Sequence, residues 1–172
     1  LSLDLVNKDL ITNQIVLGIG YDKVIEEGYD GEIEVDYIGR NVPKGGHGSI
    51  SLERFTSSSS LIIEAAKKLF KNIANPHLLV RRVYLAASHV VDRKYIKELN
   101  MAPTQLDLFM DYDTVIDNYK KAEEKEEKDY LLNKTLLKIK NTYGKNAVIK
   151  GMDLEEGATT KERNNQIGGH RR

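Results

Sequence analysis

Two adjacent arginines, Arg81 and Arg82, lie in an apolar segment whose composition predicts a strand over residues 77–91. Side chains of adjacent strand residues point to opposite faces of a sheet, so the two guanidinium groups cannot both enter a core. A guanidinium group matches two phosphate oxygens, and the pair therefore indicates contacts with a phosphate backbone. The structural alternative puts one arginine at a solvated sheet edge and the other against a helix layer. Residue types alone leave both interpretations open.

Further basic and hydroxyl side chains lie near the neighbouring predicted strand, over residues 49–55, where they would add phosphate contacts. They are Lys44, Ser49, Ser51 and Arg54. A sheet that binds phosphates through guanidinium and hydroxyl groups recognises the shape of a nucleic acid and not its sequence. Affinity should fall by roughly 0.9 log units per log unit of salt for each phosphate neutralised, and about three to five contacts predict a steep salt dependence.

A second candidate for binding is the pentapeptide QLDLF, formed by Gln105, Leu106, Asp107, Leu108 and Phe109. It lies in a predicted linker over residues 98–113, just before a strongly charged segment. The three apolar residues can fill a partner's pocket with the phenylalanine as anchor, and the glutamine can donate and accept hydrogen bonds that fix the register. Alternatively, the apolar side chains pack on this chain's own surface and fasten the helix that follows.

No set of residues in the sequence predicts a catalytic or metal site. The four histidines are scattered without metal-ligand spacing, and cysteine is absent, which excludes disulfides, zinc–thiolate sites and a cysteine nucleophile. The neighbouring acids Asp111 and Asp113 fall in the predicted linker, where a carboxylate pair is normally solvated. We therefore expect a binding protein with no metal and no cofactor in this chain.

The chain of 172 residues has no net charge, but the balance is local cancellation. Residues 105–133 hold nine acidic and four basic side chains, and residues 134–172 hold nine basic and four acidic ones. A neutral chain with such segregated charge can still bind a polyanion. No apolar run approaches the roughly 18 residues of a membrane span, so we expect no membrane contact and a cytoplasmic location.

Hydrophobic periodicity predicts the elements that must position these residues. They are a helix over residues 1–10, a strand over 15–20, an exposed β-arm over 29–46, a strand over 49–55, a helix over 61–73 and a strand over 77–91. This order predicts an α+β fold in which an antiparallel sheet carries two helices on one face.

The second half of the chain predicts a different organisation. A long charged helix over residues 114–141 is followed by a short strand over 147–152 and a polar, basic tail from residue 157. We therefore expect three parts along the chain. They are a sheet domain over residues 1–97, the linker over 98–113, and a C-terminal helix, strand and tail over 114–172.

Four stretches of the chain are similar to the C-terminal region of Y-family translesion DNA polymerases, of the UmuC-like and DinB-like kind found in Gram-positive bacteria. They are VNKDLITNQIVLGIGYD, VPKGGHGSISLERFTSSSSLIIEA, LLVRRVYLAASHVV and LEEGATTKERNNQIGGHRR. In this family the region is the little finger, a four-stranded sheet backed by two helices that lies against DNA. The resemblance implies that the first strand would precede Leu1, and that the arm, the late strand or another chain covers the vacant edge.

The resemblance also implies a role for both binding motifs. Arg81 and Arg82 would contact DNA phosphates, and QLDLF is similar to the bacterial sliding-clamp-binding pentapeptide. We then expect a non-catalytic region that grips primer–template DNA and tethers an error-prone polymerase to the clamp during SOS-type damage bypass. Mg²⁺ would serve the parent polymerase, and a RecA-like or UmuD-like accessory protein is a further expected partner. Two alternatives stay open: a protein-interaction module with little DNA affinity, and an α+β domain in which both motifs are structural.

Overall fold

The structure is a computed structural model that describes residues 1–23, 29–100 and 112–166. The strands are β1 (Leu10–Tyr21), β2 (Ile33–Val35), β3 (Asn41–Pro43), β4 (Gly46–Thr56) and β5 (Val80–Asp92). The α-helices are α1 (Ser2–Asn7), α2 (Ser59–Ile73), α3 (Ile96–Leu99), α4 (Tyr112–Tyr143) and α5 (Thr160–Asn164). Short 3₁₀ helices span Arg93–Tyr95 and Gly151–Leu154. The predicted α+β fold class is confirmed.

β1 is the central strand of a three-stranded antiparallel sheet, with β4 on one side and β5 on the other. Ile15 pairs with Ile50 of β4 and with Ala87 of β5, so these three side chains form one row across the sheet. Ile11 and Ile15 are fully buried, because β1 has a neighbour on each edge and helices over one face. The β-branched and small residues of this strand suit such a position.

Two helices pack on one face of the sheet, as predicted. Leu5 of α1 and Ile62 and Ala65 of α2 form one buried cluster with Ile15 of β1. The buried residues of α2 recur at about one helical turn because they lie on a single apolar stripe. Burial of an aliphatic side chain of this kind stabilises a fold by about 1.5–3 kcal/mol, so the cluster holds the helix layer to the sheet.

The middle of α4 packs on this unit through polar side chains. Among the described residues of α4, those that are buried are Glu126, Tyr130 and Asn133, which lie on one helical face. Tyr130 Oη donates a hydrogen bond to Asp9 Oδ1 at 2.7 Å, and Asn133 Nδ2 donates to Ser59 Oγ at 3.2 Å. Hydrogen bonds of this kind fix the geometry of the contact, so α4 is fastened to the unit predicted over residues 1–97.

The start of α2 is part of the same contact. Ser58 occupies the N-cap position, but its hydroxyl makes no cap hydrogen bond within α2. It instead donates to the Asp129 carboxylate of α4, and Ser60 Oγ lies 3.1 Å from the same carboxylate oxygen. A carboxylate is favoured at this place because the first N–H groups of a helix carry partial positive charge.

β2 and β3 form a separate hairpin, which is the predicted β-arm. Asp36 organises its turn: Oδ1 accepts hydrogen bonds from the backbone N–H groups of Ile38 and Arg40, and Oδ2 accepts two from the Arg40 guanidinium, at 2.9 and 2.6 Å. Gly39 has a φ of +81°, a left-handed conformation that favours glycine. Every residue of β2 is exposed, whereas Val42 and Pro43 of β3 are buried, so the arm exposes one strand and packs the other against the rest of the chain.

Within the described ranges, β4 and β5 each pair with one strand only. The Asn100 side chain covers part of the free edge of β4. Its Oδ1 accepts a hydrogen bond from the Phe55 N–H and its Nδ2 donates to the Phe55 carbonyl, both at 2.7 Å. This side chain imitates the backbone pair that another strand would make. Neither the arm nor the described residues after α4 pair with β4 or β5, so these two predicted covers for a vacant edge are wrong, and cover by another chain stays a prediction.

The predicted strand over residues 147–152 is also wrong. The Asp153 carboxylate accepts a hydrogen bond from the Lys150 backbone N–H at 3.1 Å and another from Thr160 Oγ1 at 2.8 Å. These contacts close the chain into the short 3₁₀ helix Gly151–Leu154. A run of so few apolar residues needs a strand partner to become a strand, and the described structure places none beside it.

Candidate nucleic-acid interface

The sheet face opposite α1 and α2 carries mostly small and hydroxyl side chains. Along each strand, its residues alternate with the buried residues of the other face, such as Ile15, because successive strand residues point to opposite faces. In register across the sheet, its members are Gln14, Val16 and Gly18 of β1, Ser51, Ser49 and His47 of β4, and Ser88, Ala86 and Tyr84 of β5. We call this set the outer face.

Most of the outer face is a flat surface, because the side chains of serine and alanine are short and glycine has none. Ser49, Ser51 and Ala86 are all exposed to solvent. A polyanion can therefore approach the sheet closely, and the hydroxyl groups can donate hydrogen bonds to phosphate oxygens. Glu53 continues the β4 alternation and is exposed, so the surface becomes acidic beyond Ser51.

Tyr84 lies flat across Gly18 at one end of the outer face. A Cβ atom on residue 18 would lie 1.9 Å from Tyr84 Cζ, so any larger residue would displace the ring. The Tyr84 ring centroid is 6.4 Å from that of His47, with the two planes tilted by 38°. Glycine thus permits a close approach of an aromatic ring to the sheet, and this end of the outer face presents an aromatic surface.

Arg82 is a predicted phosphate ligand that the structure places at the outer face. It pairs with Gly20 in the register that also orients Tyr84 outward. Its guanidinium carbon lies 5.0 Å from the ring centroid of Tyr37 on the arm, which is a cation–π contact. In the part of the chain that the structure describes, no carboxylate forms an ion pair with Arg82. Its charge is therefore available to a phosphate.

Arg81 lies beside Arg82 at an irregularity in the β1–β5 register. Its Nη1 lies 3.3 Å from Asp22 Oδ1, and both side chains are partly exposed. A hydrogen bond from the Lys23 backbone N–H lowers the pKa of Asp22, and the Arg81 charge lowers it further. An exposed ion pair of this kind contributes little to stability, so a phosphate can take the place of the carboxylate.

Lys44 lies at the base of the arm and outside the outer face. Its ammonium group lies 2.5 Å from Glu32 Oε2, and this hydrogen bond raises the pKa of Lys44 and lowers the pKa of Glu32. Both side chains are well exposed to solvent. A phosphate that binds Lys44 must therefore compete with Glu32 for the cation.

Arg54 lies on the opposite side of the sheet from the two serines. Its Nε is 3.1 Å from Glu126 Oε2 of α4, and both side chains are largely buried. Ser49 and Ser51 are exposed, whereas Arg54 follows the inward alternation of Ile50. The period of two in this strand already separates Arg54 from the serines. The predicted phosphate contact of Arg54 is therefore replaced by a role in fastening α4.

The structure brings Ser49, Ser51 and Arg82 to one surface, places Arg81 at its rim, and sets Lys44 and Arg54 elsewhere. Residue types alone did not point to the glycine, alanine and further serine positions of the outer face, because such residues carry no chemical signature of their own. The signal that would have found them is their alternation with buried apolar residues along the strands.

The pentapeptide QLDLF, residues 105–109, lies outside the described residues, so its contact with a sliding clamp stays a prediction. Over residues 1–23, 29–100 and 112–166, no group of three or more acidic or histidine side chains could hold a metal ion. Nor does any helix described there combine the length and apolarity that a bilayer crossing demands.

Comparisons with protein-family models, with curated proteins and with solved structures find no match to this chain. The resemblance to Y-family polymerases accordingly rests on the four stretches quoted above.

Proposed function

We propose that this chain is a DNA-gripping region of an error-prone translesion DNA polymerase, and that it holds primer–template DNA against its outer face. The observation that carries the proposal is the low outer face, with hydroxyl groups at Ser49 and Ser51 and a guanidinium at Arg82. Such groups contact the backbone and not the bases, which suits a polymerase that accepts any template. The chain itself is not catalytic, and nucleotide addition with Mg²⁺ belongs to the parent polymerase.

The ion pairs predict a weaker grip than the basic residues alone would indicate. Arg81 and Lys44 are each opposed by a carboxylate, and Arg54 is buried against Glu126. A phosphate can bind Arg81 or Lys44 only if it displaces the carboxylate that each of them contacts. We therefore expect a salt dependence equivalent to about one to three phosphates, below the steep slope that residue types predict.

Removal of the Arg82 guanidinium tests the proposal. Binding of the chain to primer–template DNA across a salt series should give a log–log slope that is smaller by about one in Arg82→Ala than in the unmodified chain. The matched control is Lys67→Ala, which removes an exposed cation from α2, on the other side of the sheet. Equal slopes in the two variants would contradict a grip by the outer face.

We further propose that the QLDLF segment binds a bacterial sliding clamp. A lone pentapeptide should bind at about micromolar concentration, and simultaneous contact with DNA and clamp would raise the effective affinity. Leu108→Ala/Phe109→Ala should abolish binding to purified clamp in surface plasmon resonance, whereas Asp107→Ala should keep it. Retention of clamp binding by the double variant would refute this assignment. A cytoplasmic location and a RecA-like or UmuD-like partner belong to the same proposal.

The ion pairs also favour a second candidate function. If the ion pairs Asp22–Arg81 and Glu32–Lys44 persist when DNA is present, the chain is mainly a protein-interaction module with little DNA affinity. The charge-neutralised variant Asp22→Asn/Glu32→Gln distinguishes the two functions, because it frees both cations without removing them. Tighter DNA binding by this variant supports the grip, and unchanged weak binding supports the interaction module.

A further inference from the structure

We infer that the groove between the β2–β3 arm and the outer face binds unpaired bases of single-stranded DNA next to the gripped duplex. The inference rests on the proposed function, since it adds a neighbouring site to the same DNA surface. The groove has a volume of about 450 Å³ and extends from Tyr37 on the arm to Tyr84 on the sheet. Sites of this size accommodate small organic groups, and a nucleotide base is one of them.

Aromatic rings line both walls of the groove. Tyr37 is 76% exposed and Tyr84 is 49% exposed, so neither ring is buried in a hydrophobic core. His47 lies against Tyr84 on the sheet wall. Every base has an apolar face that stacks on such rings without regard to sequence, which is how single strands are held by proteins of many folds.

Arg82 supplies the charge that a nucleotide needs beside its base. Its guanidinium carbon lies 5.0 Å from the centroid of the Tyr37 ring, so the cation and the exposed ring are neighbours. A base that stacks on Tyr37 would carry its own phosphate towards Arg82. The combination of an aromatic platform with an adjacent cation is the pattern of single-strand binding surfaces.

The two acidic residues of the groove, Glu34 and Asp36, already accept hydrogen bonds from nearby residues of the chain. Glu34 Oε1 accepts a hydrogen bond from the Gly45 N–H at 3.2 Å. Asp36 Oδ2 accepts hydrogen bonds from Arg40 Nε at 2.9 Å and from its terminal nitrogen at 2.6 Å. Because Arg40 neutralises Asp36, the groove does not repel a phosphate strongly.

The shape of the groove favours a single strand over a duplex. Two walls enclose it, whereas the outer face beyond Tyr84 is low and open along Ser49 and Ser51. Tyr84 belongs to both surfaces. A primer–template junction therefore fits with its paired part on the outer face and its first unpaired template bases between the arm and the sheet.

Tyr37 is the residue to change, because its exposure allows substitution without loss of the fold. Fluorescence anisotropy would compare a blunt duplex with the same duplex carrying a four-nucleotide 5′ overhang. The overhang should tighten binding by about tenfold, an effect at the scale of one stacked base. Tyr37→Ala should lose this gain and bind the blunt duplex normally, whereas Tyr37→Phe and the control Tyr143→Ala should keep it.

The outcomes separate this inference from the function on which it rests. If the chain binds blunt duplex but gains nothing from the overhang, the groove site is refuted and the grip stands. Full retention of the gain by Tyr37→Ala would likewise refute the groove site alone. If the chain binds neither the blunt duplex nor the overhang substrate, both proposals fail together.

Discussion

Replacement of Arg54 by alanine is expected to lower the free energy of unfolding by about 3–5 kcal/mol, because it leaves a buried carboxylate without its partner. The Arg54 and Glu126 side chains are only 18% and 8% exposed, and Nε lies 3.1 Å from Oε2. Burial raises the pKa of Glu126, while a hydrogen bond from Thr56 and the charge of Arg54 pull it down. Glu126 Oε1 has no hydrogen-bond partner among the described residues, so the Thr56 hydrogen bond and the weaker effect of the Arg93 charge would remain to compensate the Glu126 charge.

The loss in this variant should depend on pH with a definite sign. Without Arg54, burial raises the Glu126 pKa further above its unfolded value of roughly 4.3. A carboxyl group with a raised folded-state pKa destabilises the fold when it is ionised. The loss is therefore complete at pH above the raised pKa and shrinks as the pH falls through it. Urea unfolding followed by circular dichroism at pH 7.5 and pH 5 would measure the difference.

The matched control is the apolar pair Arg54→Met/Glu126→Leu, which removes both charges and keeps the volume. A buried ion pair can often be replaced in this way with little change or some gain in stability, so we expect the double variant within about 1 kcal/mol of the unmodified chain. Equal losses in the single and double variants would show that packing, and not an unpaired charge, explains the effect. A pH-independent loss in Arg54→Ala would point the same way.

Two carboxylates on the outer face should weaken DNA binding by about thirtyfold or more. Ser49→Glu/Ser51→Glu places negative charges where the phosphates would approach, and each like-charge contact at about 4 Å costs about 1 kcal/mol even in water. Two such contacts correspond to roughly thirtyfold, and a drier interface increases the loss. Ser49→Lys/Ser51→Lys should instead tighten binding. Both changes lie on exposed positions, so the fold should persist.

The control for this prediction carries the same change in net charge at a different place. Asn141→Glu/Thr142→Glu adds two carboxylates at exposed positions near the end of α4. Anisotropy titrations of both variants with one primer–template at fixed salt would compare them. An equal loss in the two variants would mean that overall charge, and not contact with the outer face, determines the affinity.

The order of the elements could be predicted from the sequence because each has one strong period. The stripe of α2 and the alternation of β4 place their elements to within a few residues, with observed bounds of Ser59–Ile73 and Gly46–Thr56. The strand predicted over residues 147–152 is wrong because a short apolar run forms a strand only when a partner edge is present. Its own Asp153 closed it into a 3₁₀ helix instead.

The chemistry of the candidate site was harder to predict, because it depends on pairs of residues far apart in the chain. Arg81 and Asp22 are separated by 59 positions, and nothing in either neighbourhood shows that one neutralises the other. Gly18 and Tyr84 meet only because β1 and β5 pair in one particular register. Residue types therefore identified the cations, and only the fold shows that Arg82 keeps its charge free of the described carboxylates.

The most direct test of the outer face is a map of backbone amide shifts of the ¹⁵N-labelled chain on titration with a blunt DNA duplex. We expect the largest changes at outer-face residues of β1, β4 and β5, centred on Ser49, Ser51 and Ala86, with little change in α2. Shifts confined to the basic C-terminal part, or spread equally over α2 and the outer face, would contradict a DNA grip by this sheet.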